Sequence, residues 1–399
     1  MTFAEQPAQP ATAPHGSGVA TGLEVKVFES LAAAETPWRD LEARGIVTPY
    51  QRFDWISGLH AAGADAGIDI AVATIGRNGR TVALLPLGIK RGRLLTTARL
   101  LGTEQSNADW MISEPGFAPG QTALRGIFEQ ISQAVGGIDL VSLQNQPASW
   151  SGTPNPLLAL PHAPAASNLY VTTIAGITPP FVESRVPAKK RGNLRRGRRR
   201  LEEAMGPVRL VRVTDQATLE RVHAVFLEQR KARFDAMGID NIFGTPLFVR
   251  FFKQAVSDGF AAAHPIMCAH ALMAGDEIVA TTWGAMTKTH YSLFINSAAS
   301  GPTIKFSLMG ILIGDLMDEL LARGIETFDL GLGDFDYKAD WTEPATVYNG
   351  TMALTAKGRL AASARSGQTT IKRAIKQNPT LWTAASRVRQ LLFRLRPGR

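Results

Sequence analysis

Four residues in one short loop carry side chains suited to acid–base chemistry. Asp334 and Asp336 follow a predicted buried strand, and Tyr337 and Lys338 come directly after them. A carboxylate can accept the proton of an attacking nucleophile, and a phenol can return a proton to a leaving group. A lysine can bind phosphate or stabilise negative charge that develops during a reaction. The loop therefore predicts a general acid–base site with a cation beside it.

Each of these residues also has a purely structural interpretation. The two carboxylates could be solvated loop residues, Tyr337 or the alternative acid Tyr291 could be a packing aromatic, and Lys338 could form an ordinary salt bridge. His290 is the only histidine near this segment, and its position is interpreted as that of a surface histidine. The seven histidines are scattered without paired ligand spacing, so no metal site is expected.

A helix is predicted just before the strand that leads into this loop. Apolar residues recur at spacings of three and four from Ser307 to Arg323, with Ser307 as the N-cap. The unpaired amides of a helix N-terminus carry about half a positive elementary charge, and Lys305 lies just ahead of them. Gly310 and Gly314 share one helix face, where strand backbone or a slender ligand can approach closely. This arrangement predicts a site for an anion, with phosphate as the obvious candidate.

Length and composition indicate a globular protein of two domains. The 399 residues suit two domains of ordinary size, and 45% of them are hydrophobic while 19% are charged. A single Cys268 excludes a disulfide framework and suits a reducing compartment, so the expected location is cytoplasmic. Residues Met1 to Gly22 are rich in Ala and Pro and predict a disordered leader, not a signal peptide. No apolar run approaches the roughly 20 residues that span a bilayer.

The net charge of +9 is concentrated in two segments. Arg185 to Arg200 contains nine Lys and Arg without an acid, and the chain after Glu343 contains eleven. The first run is expected on a helix from Val186 to Met205, and Trp382 to Leu395 predicts an amphipathic basic helix. These segments could bind tRNA or nucleotide-sugar phosphates, attach peripherally to anionic lipid at the inner face of the membrane, or be solvated without a partner. Nucleic-acid binding as the main function is disfavoured, because no aromatic residues are interleaved with the basic run.

The two halves of the chain repeat one order of predicted elements, which is hairpin, strand, helix, glycine and strand. The first hairpin turns at Asn78-Gly79 and the second at Gly275-Asp276-Glu277. The strand after the first hairpin is predicted at Ala108 to Ile112, and the strand after the second at Tyr291 to Ile295. The repeat predicts a mixed α/β chain built from two domains of the same type. The expected divisions are a leader at 1–22, an N-terminal domain at 23–165, a C-terminal domain at 166–358 and a basic tail at 359–399.

Several stretches resemble tandem GNAT-like acyltransferases of the CelD-like and FemAB-related type. They are Thr48-Pro49-Tyr50-Gln51 with Trp55, Leu85-Pro86-Leu87, Leu101-Gly102, Arg191 to Arg196, Phe306-Ser307 with Gly310 and, most specifically, Phe328 to Gly331 through Tyr337-Lys338 and Trp341. The resemblance implies two tandem GNAT-like domains, each a mixed sheet flanked by helices, with the acyl donor in the second. It implies an acyl-CoA donor in the CelD-like branch and an aminoacyl-tRNA in the FemAB branch. The family's usual pyrophosphate loop is not matched, and Lys305 to Gly310 is its nearest equivalent.

By this resemblance, the function is transfer of an acyl group, with acetyl preferred, from acyl-CoA to an amine on a small molecule, saccharide or peptide. Envelope or exopolysaccharide metabolism is the implied setting. Asp334 or Asp336 would be the base, Tyr337 the acid and Lys338 the cation. The expected donor-binding residues are Phe294, Ile295, Asn296, Lys305, Ser307 and Gly310. Two alternatives stay open: a FemAB-like transferase that uses charged tRNA, and a non-catalytic scaffold that binds membranes or polysaccharide synthases.

Overall fold

The computed structural model of the protein describes residues 22–378 and residue 381. The predicted leader, except for Gly22, and the predicted helix Trp382 to Leu395 lie outside the described residues. In chain order, the strands of the described part are β1 (Leu23–Phe28), β2 (Asp69–Arg77), β3 (Arg80–Arg91), β4 (Thr96–Leu100), β5 (Ile112–Ser113), β6 (Leu140–Pro147), β7 (Ser149–Trp150), β8 (Thr153–Pro154), β9 (His162–Pro164), β10 (Leu169–Thr173), β11 (Val208–Arg212), β12 (Met267–Ala274), β13 (Glu277–Met286), β14 (His290–Ala298), β15 (Thr327–Leu332), β16 (Glu343–Ala345) and β17 (Val347–Ala353). Its helices are α1 (Leu31–Arg44), α2 (Phe53–Ala61), α3 (Gln121–Ala134), α4 (Phe181–Arg185), α5 (Ala188–Met205), α6 (Gln216–Met237), α7 (Pro246–Ser257), α8 (Leu308–Ala322) and α9 (Ala356–Gln377). None of the helices within 22–378 combines the length and apolar character needed to cross a bilayer.

Two large mixed sheets share one connectivity. The first has the order β1-β2-β3-β4-β6-β17-β9 with β5 beside β3, and the second has the order β11-β12-β13-β14-β15-β10-β16. In each, the first strand leads through two helices to three antiparallel strands, and a crossover helix then leads to a parallel neighbour. The paired helices are α1 and α2 in one domain and α6 and α7 in the other, and the crossovers are α3 and α8. The chain is thus two tandem mixed α/β domains, as the repeated order of elements predicts.

Each sheet is completed by a strand from outside its own repeat. β10 pairs with β15 of the second sheet, whereas β17 pairs with β6 of the first sheet. The prediction that 166–358 forms one domain therefore differs from the structure, since β17 lies in the first sheet and the division at 358/359 falls inside α9. β10 already pairs with the edge of β15 that faces away from β14. The free edge with which β17 can pair is therefore that of β6.

The two domains share an apolar core. Trp38 and Trp55 from the first domain join Phe251 and Phe252 of α7 in one buried cluster. The rings of Trp55 and Phe251 meet edge to face with centroids 4.9 Å apart, a favoured geometry for aromatic pairs. The helix layers of the domains therefore hold the two sheets in a fixed relationship around the loop that follows β15.

Local predictions fail in two ways. The predicted strand Ala108 to Ile112 shrinks to β5, because the residues before it form buried turns in which Asp109 accepts hydrogen bonds from Thr103 and Gln51. The helices α7 and α9 were not expected. α9 lies across β17 and β6, and its place in the fold depends on that exchanged strand.

Candidate active site

The open feature of the second domain is the separation of β14 from β15. The two strands pair in parallel only between His290–Ser292 and Thr327–Asp329. Beyond this point β14 continues along β13 alone, with a bulge at Phe294. Backbone groups of β14 that face away from β13 therefore have no partner strand there. In the first domain β4 and β6 also pair briefly, but β4 carries no bulge, so the irregular open strand is specific to the second domain.

A cavity of about 520 Å³ lies at the N-terminus of α8. Ser307 and Gly310 line it, together with Tyr337 of the loop that was predicted to be catalytic. Partial burial raises the pKa of Tyr337, and an interaction with the side chain of Asn296 on β14 opposes that shift. The structure thus brings four predicted site residues close together. Asn296 lies on the open strand, and Ser307, Gly310 and Tyr337 lie in the cavity wall.

The N-terminus of α8 differs from its prediction in its capping. Ser307 has a left-handed backbone with φ of 60°, and its side chain makes no capping hydrogen bond. Capping would have required an extended backbone at this residue. Lys305 is exposed against the ring of Phe306, with 5.3 Å between its Nζ and the ring centroid, and it does not line the cavity. The first-turn amides of α8 therefore face the cavity region without a serine cap.

Side chains from two neighbouring helices pack against the two glycines of α8. A Cβ on Gly310 would lie 2.5 Å from Cδ2 of Leu194, and a Cβ on Gly314 would lie 2.7 Å from Cγ2 of Val182. The close approach predicted at this face is therefore made by side chains of α5 and α4, and not by strand backbone. Gly310 still contributes to the cavity wall.

Two cations that sequence reasoning did not assign to the donor site lie near the cavity. Lys190 lines it, forms an ion pair with Asp340 and lies 4.8 Å from the ring centroid of Trp341. Arg230 of α6 donates to the backbone oxygen of Asn296 at 3.2 Å, and burial lowers its pKa to about 10. Lys190 belongs to the basic run, which could have indicated it as a phosphate-binding residue. The helical spacing of α6 does not distinguish Arg230 from the other polar residues of that helix.

Lys338 is buried and faces the backbone of its own loop. Only 3% of the residue is exposed, and Nζ donates to the carbonyl oxygens of Gly331 at 3.0 Å and Leu332 at 2.9 Å. Burial lowers the pKa of Lys338 to about 8, while the carboxylates of Asp329 and Asp334 oppose the shift. This cation therefore holds the loop in shape, and no ion pair within the described part of the chain supports the alternative of an ordinary salt bridge.

The two predicted carboxylates occupy different environments. Asp334 Oδ1 accepts from Asn168 Nδ2 at 2.9 Å and from the Tyr170 hydroxyl at 3.3 Å. Asp336 is exposed, and no described residue forms a hydrogen bond or ion pair with its carboxylate. Among residues 22–378, no group of three His, Cys, Asp or Glu side chains could hold a metal ion.

The interpretation of His290 as a surface histidine is wrong. The residue is 5% exposed, its Nε2 lies 2.6 Å from Oδ2 of Asp329, and its ring lies 4.2 Å from that of Trp150 in the first domain. Ser292 Oγ donates to the other carboxylate oxygen of Asp329 at 2.7 Å and shares a 2.6 Å hydrogen bond with the hydroxyl of Tyr50. A buried polar chain therefore crosses from one domain to the other beneath the open strand.

Other predicted side chains of β14 serve packing. Tyr291 is fully buried, and its ring is stacked on Phe328 with centroids 6.0 Å apart, which favours the aromatic-packing interpretation over that of an acid. The rings of Phe294 and Trp55 are 5.5 Å apart, and Ile295 contacts the same shared core. A donor would therefore meet the backbone of Phe294 and Ile295, and not these core-facing side chains.

Comparison with known proteins agrees with this geometry. Residues 188–339, which contain α5, the open strand, α8 and the loop, match the family model described as an acetyltransferase (GNAT) domain. This segment belongs to the GNAT superfamily. No curated protein matches the chain.

Solved structures extend the likeness to both domains. FemX is 9% identical with a TM-score of 0.56, over 86% of this chain and 99% of its own. A conserved protein of unknown function from Bacteroides thetaiotaomicron VPI-5482 is 11% identical with a TM-score of 0.52, over 83% and 100%. The C-terminal DUF2156 domain of an Agrobacterium fabrum protein described as a lysylphosphatidylglycerol synthetase is 12% identical with a TM-score of 0.50, over 84% and 97%. At these identities the likeness shows the fold, which is that of two tandem GNAT-like domains.

Proposed function

We propose that the protein is an N-acyltransferase that uses acyl-CoA, with acetyl-CoA as the first candidate donor. The observation that carries this proposal is the open, bulged strand β14 beside the uncapped N-terminus of α8. Strand amides without a partner can stabilise an oxyanion, and helix amides can bind the phosphates of the donor. Within the described part of the chain, the second domain combines these two features with a cavity.

The residues around the cavity can be given roles in the transfer. The acceptor amine attacks the thioester carbonyl carbon, so that a C–N bond forms and the C–S bond breaks. Asp334 or Asp336 takes the proton that the amine loses, and Tyr337 donates a proton to the departing thiolate. Backbone amides near Phe294 stabilise the tetrahedral oxyanion.

The donor phosphates are assigned to the cations at the cavity and to the helix end. Lys190 lies on the α5 side, and Arg230 lies behind the open strand at Asn296. Lys338 acts by holding the loop, because its Nζ is already bound to two carbonyls. The proposed acceptor is an amine on a small molecule, saccharide or peptide, and the proposed setting is envelope or exopolysaccharide metabolism on the cytoplasmic side.

A second candidate is transfer from an aminoacyl-tRNA. The observation that favours it is the basic helix α5, whose Lys189 and Lys190 line the cavity while most of its arginines stay on the surface. Such a surface could follow the phosphates of an RNA acceptor stem beyond the cavity. The two donors differ in size and charge, so a direct binding comparison separates them.

Thermal unfolding with different ligands tests the proposal. The ligands to compare are coenzyme A, acetyl-CoA, longer acyl-CoAs, ATP as a phosphate control, and tRNA with and without its aminoacyl group. A thioester at a hundred times its Kd should stabilise the folded state by about 2.7 kcal/mol. A response to tRNA alone would support the second candidate, and no response to any thioester would overturn the acyl-CoA proposal.

A matched pair of variants places the donor. Lys190→Gln removes a cation from the cavity wall, whereas Arg199→Gln removes an equal charge from an exposed position of the same helix, where it pairs with Glu203. Lys190→Gln should reduce the acyl-CoA shift and Arg199→Gln should leave it unchanged. Equal losses in both variants would indicate general attraction to the basic helix instead of a donor site.

A further inference from the structure

A larger cavity lies on the other side of the predicted catalytic loop. Its volume is about 810 Å³, and its wall is formed by β4, β6 and β17 of the first sheet, by α9 and by residues 332–335 of the second domain. The loop therefore separates two cavities, since Tyr337 lines the smaller one and Asp334 lines the larger one. This larger cavity exists because the exchanged strand β17 carries α9 back across the first domain.

The wall of the larger cavity is strongly cationic. Its charged residues are Lys90, Arg99, Arg365, Lys372, Lys376 and the single carboxylate Asp334. Arg99 forms an ion pair with Glu104, but Lys90, Arg365 and Lys372 have no carboxylate partner among the described residues. Burial lowers the pKa of Arg99. The carboxylate of Asp65 opposes that shift, and the charge of Arg365 adds to it. The charges of Lys90, Arg365 and Lys372, which no described carboxylate neutralises, favour an anionic ligand.

The carboxylate lies at the opposite end of the cavity from Arg365. Gln377 Nε2 donates to Asp334 Oδ2 at 3.2 Å, which places the C-terminal end of α9 at Asp334. Arg365 lies twelve residues earlier on the same helix, or about 18 Å at 1.5 Å per residue. Between the two ends, the wall offers hydroxyl and amide groups such as those of Ser142, Gln144 and Asn349.

We propose that this cavity binds the acceptor, and that the acceptor is a polyhydroxylated molecule with both an amine and a phosphate, such as an amino-sugar phosphate. The phosphate binds Lys372, which lies five residues before Gln377, or about 7.5 Å along α9. The hydroxyl groups meet the polar wall, the amine binds Asp334, and Arg365 attracts the anion from the far end of the cavity. The proposal rests on the proposed acyltransferase function, because that function requires the amine to lie at the loop shared with the donor cavity. Asp334 then accepts the proton that the ammonium group must lose before the amine attacks.

Calorimetric binding without any CoA tests the cavity by itself. The probes are glucosamine 6-phosphate, glucose 6-phosphate, which lacks the amine, and glucosamine, which lacks the phosphate. Glucosamine 6-phosphate should bind at least about tenfold more tightly than either partial probe, because each partial probe lacks one charged group that forms hydrogen bonds with the wall. Failure of both phosphate probes to bind, or equal affinity for glucosamine and its phosphate, would overturn the proposal.

Three variants assign the two ends. Lys372→Gln should weaken both phosphate probes about tenfold and leave glucosamine unchanged, and Asp334→Asn should abolish the preference for the amine. Arg359→Gln is the matched control, because Arg359 is exposed on α9 outside this cavity. Lys372 is exposed, so its substitution should leave the fold intact. If Arg359→Gln weakened binding equally, the binding would be a general effect of the positive charge of α9, and the proposed site would be overturned.

The outcomes separate this proposal from the function on which it rests. Phosphate-dependent binding without a thermal response to thioesters would support the proposed acceptor cavity and overturn the acyl-CoA donor. A thioester response without phosphate-dependent binding would retain the donor and reject this acceptor.

Discussion

The side chains of His290 and Asp329 meet at 2.6 Å, and they join the first residue of β14 that pairs with β15 to the last residue of β15 that pairs before the strands separate. Asp329 also accepts from Ser292 Oγ at 2.7 Å and from the Gly331 amide at 2.8 Å. The carboxylate therefore ties together the end of the parallel pairing and the start of the loop that follows β15. Because Tyr50 contacts Ser292, the same chain fixes the loop relative to the first domain.

Asp329→Ala should strongly destabilise the protein. The substitution would leave His290, the Ser292 hydroxyl and the Gly331 amide without their buried acceptor, and each buried unpaired group costs about 1–3 kcal/mol. We expect a loss of at least about 3 kcal/mol, measured by urea unfolding.

Tyr50→Phe tests the link between the domains. Its hydroxyl receives a hydrogen bond from Asn107 Nδ2 at 2.7 Å and shares one with Ser292, so its loss should cost about 1–3 kcal/mol. Tyr348→Phe is the matched control, because no described residue makes a hydrogen bond with the Tyr348 hydroxyl. Equal stability of Tyr50→Phe and the control would show that the buried chain contributes nothing to domain association.

Lys338 should make stability rise with pH in the alkaline range. Its pKa is about 8 in the folded protein and near 10.5 in an unfolded chain. Between these values the unfolded state binds more protons, so the free energy of unfolding increases with pH. In Lys338→Met this contribution is absent. The difference in unfolding free energy between the two proteins, measured by urea from pH 7.5 to 9.5, should grow in favour of the wild type, and a difference independent of pH would contradict the assigned pKa.

Gly197→Ala should disturb the packing of α5 beside the donor cavity. A Cβ at this position would lie 2.4 Å from the backbone oxygen of Phe306, which cannot move without shifting the turn before α8. We expect destabilisation of about 1–3 kcal/mol. Gly126→Ala in α3 is the control, since nothing lies within 4 Å of its Cβ, and there alanine should stabilise the helix by up to about 1 kcal/mol. Thermal unfolding of both variants measures the contrast.

Met352→Ala should destabilise the first sheet, although Met352 is distant in sequence from the other strands of that sheet. Met352 of β17 is buried in the core of the first domain, and truncation of such a side chain costs about 2–5 kcal/mol. Hydrogen exchange should rise in β6, which pairs with β17, before it rises in β13. Met317→Ala, in the core of the second domain, should reverse that order.

Tyr337→Phe should lower kcat for acyl transfer by about 10²–10⁴, the usual contribution of a positioned acid. Donor affinity, read from the thermal shift with coenzyme A, should change little, because only the hydroxyl is removed. An unchanged kcat would remove Tyr337 from the mechanism.

The sequence by itself determined the repeating architecture and the helix and strand that border the proposed donor site. Periodic apolar residues located α8 and β14 within a few residues, because a regular element needs a regular apolar face to reach the core. In the structure Asn296, Ser307, Gly310 and Tyr337 lie near one another, since a strand, a crossover helix and the next strand bring their connecting ends to neighbouring positions.

Only the tertiary structure decided which groups face which partner. Strand pairing depends on which sheet edge is free, so the exchange of β17, and with it the cationic cavity under α9, has no local signal in the chain. The burial of His290 and the inward turn of Lys338 have the same origin, because a polar side chain can be buried wherever distant groups satisfy its hydrogen bonds. Those partners, Asp329 for His290 and the carbonyls of Gly331 and Leu332 for Lys338, are set by how the two domains and their shared loop pack together.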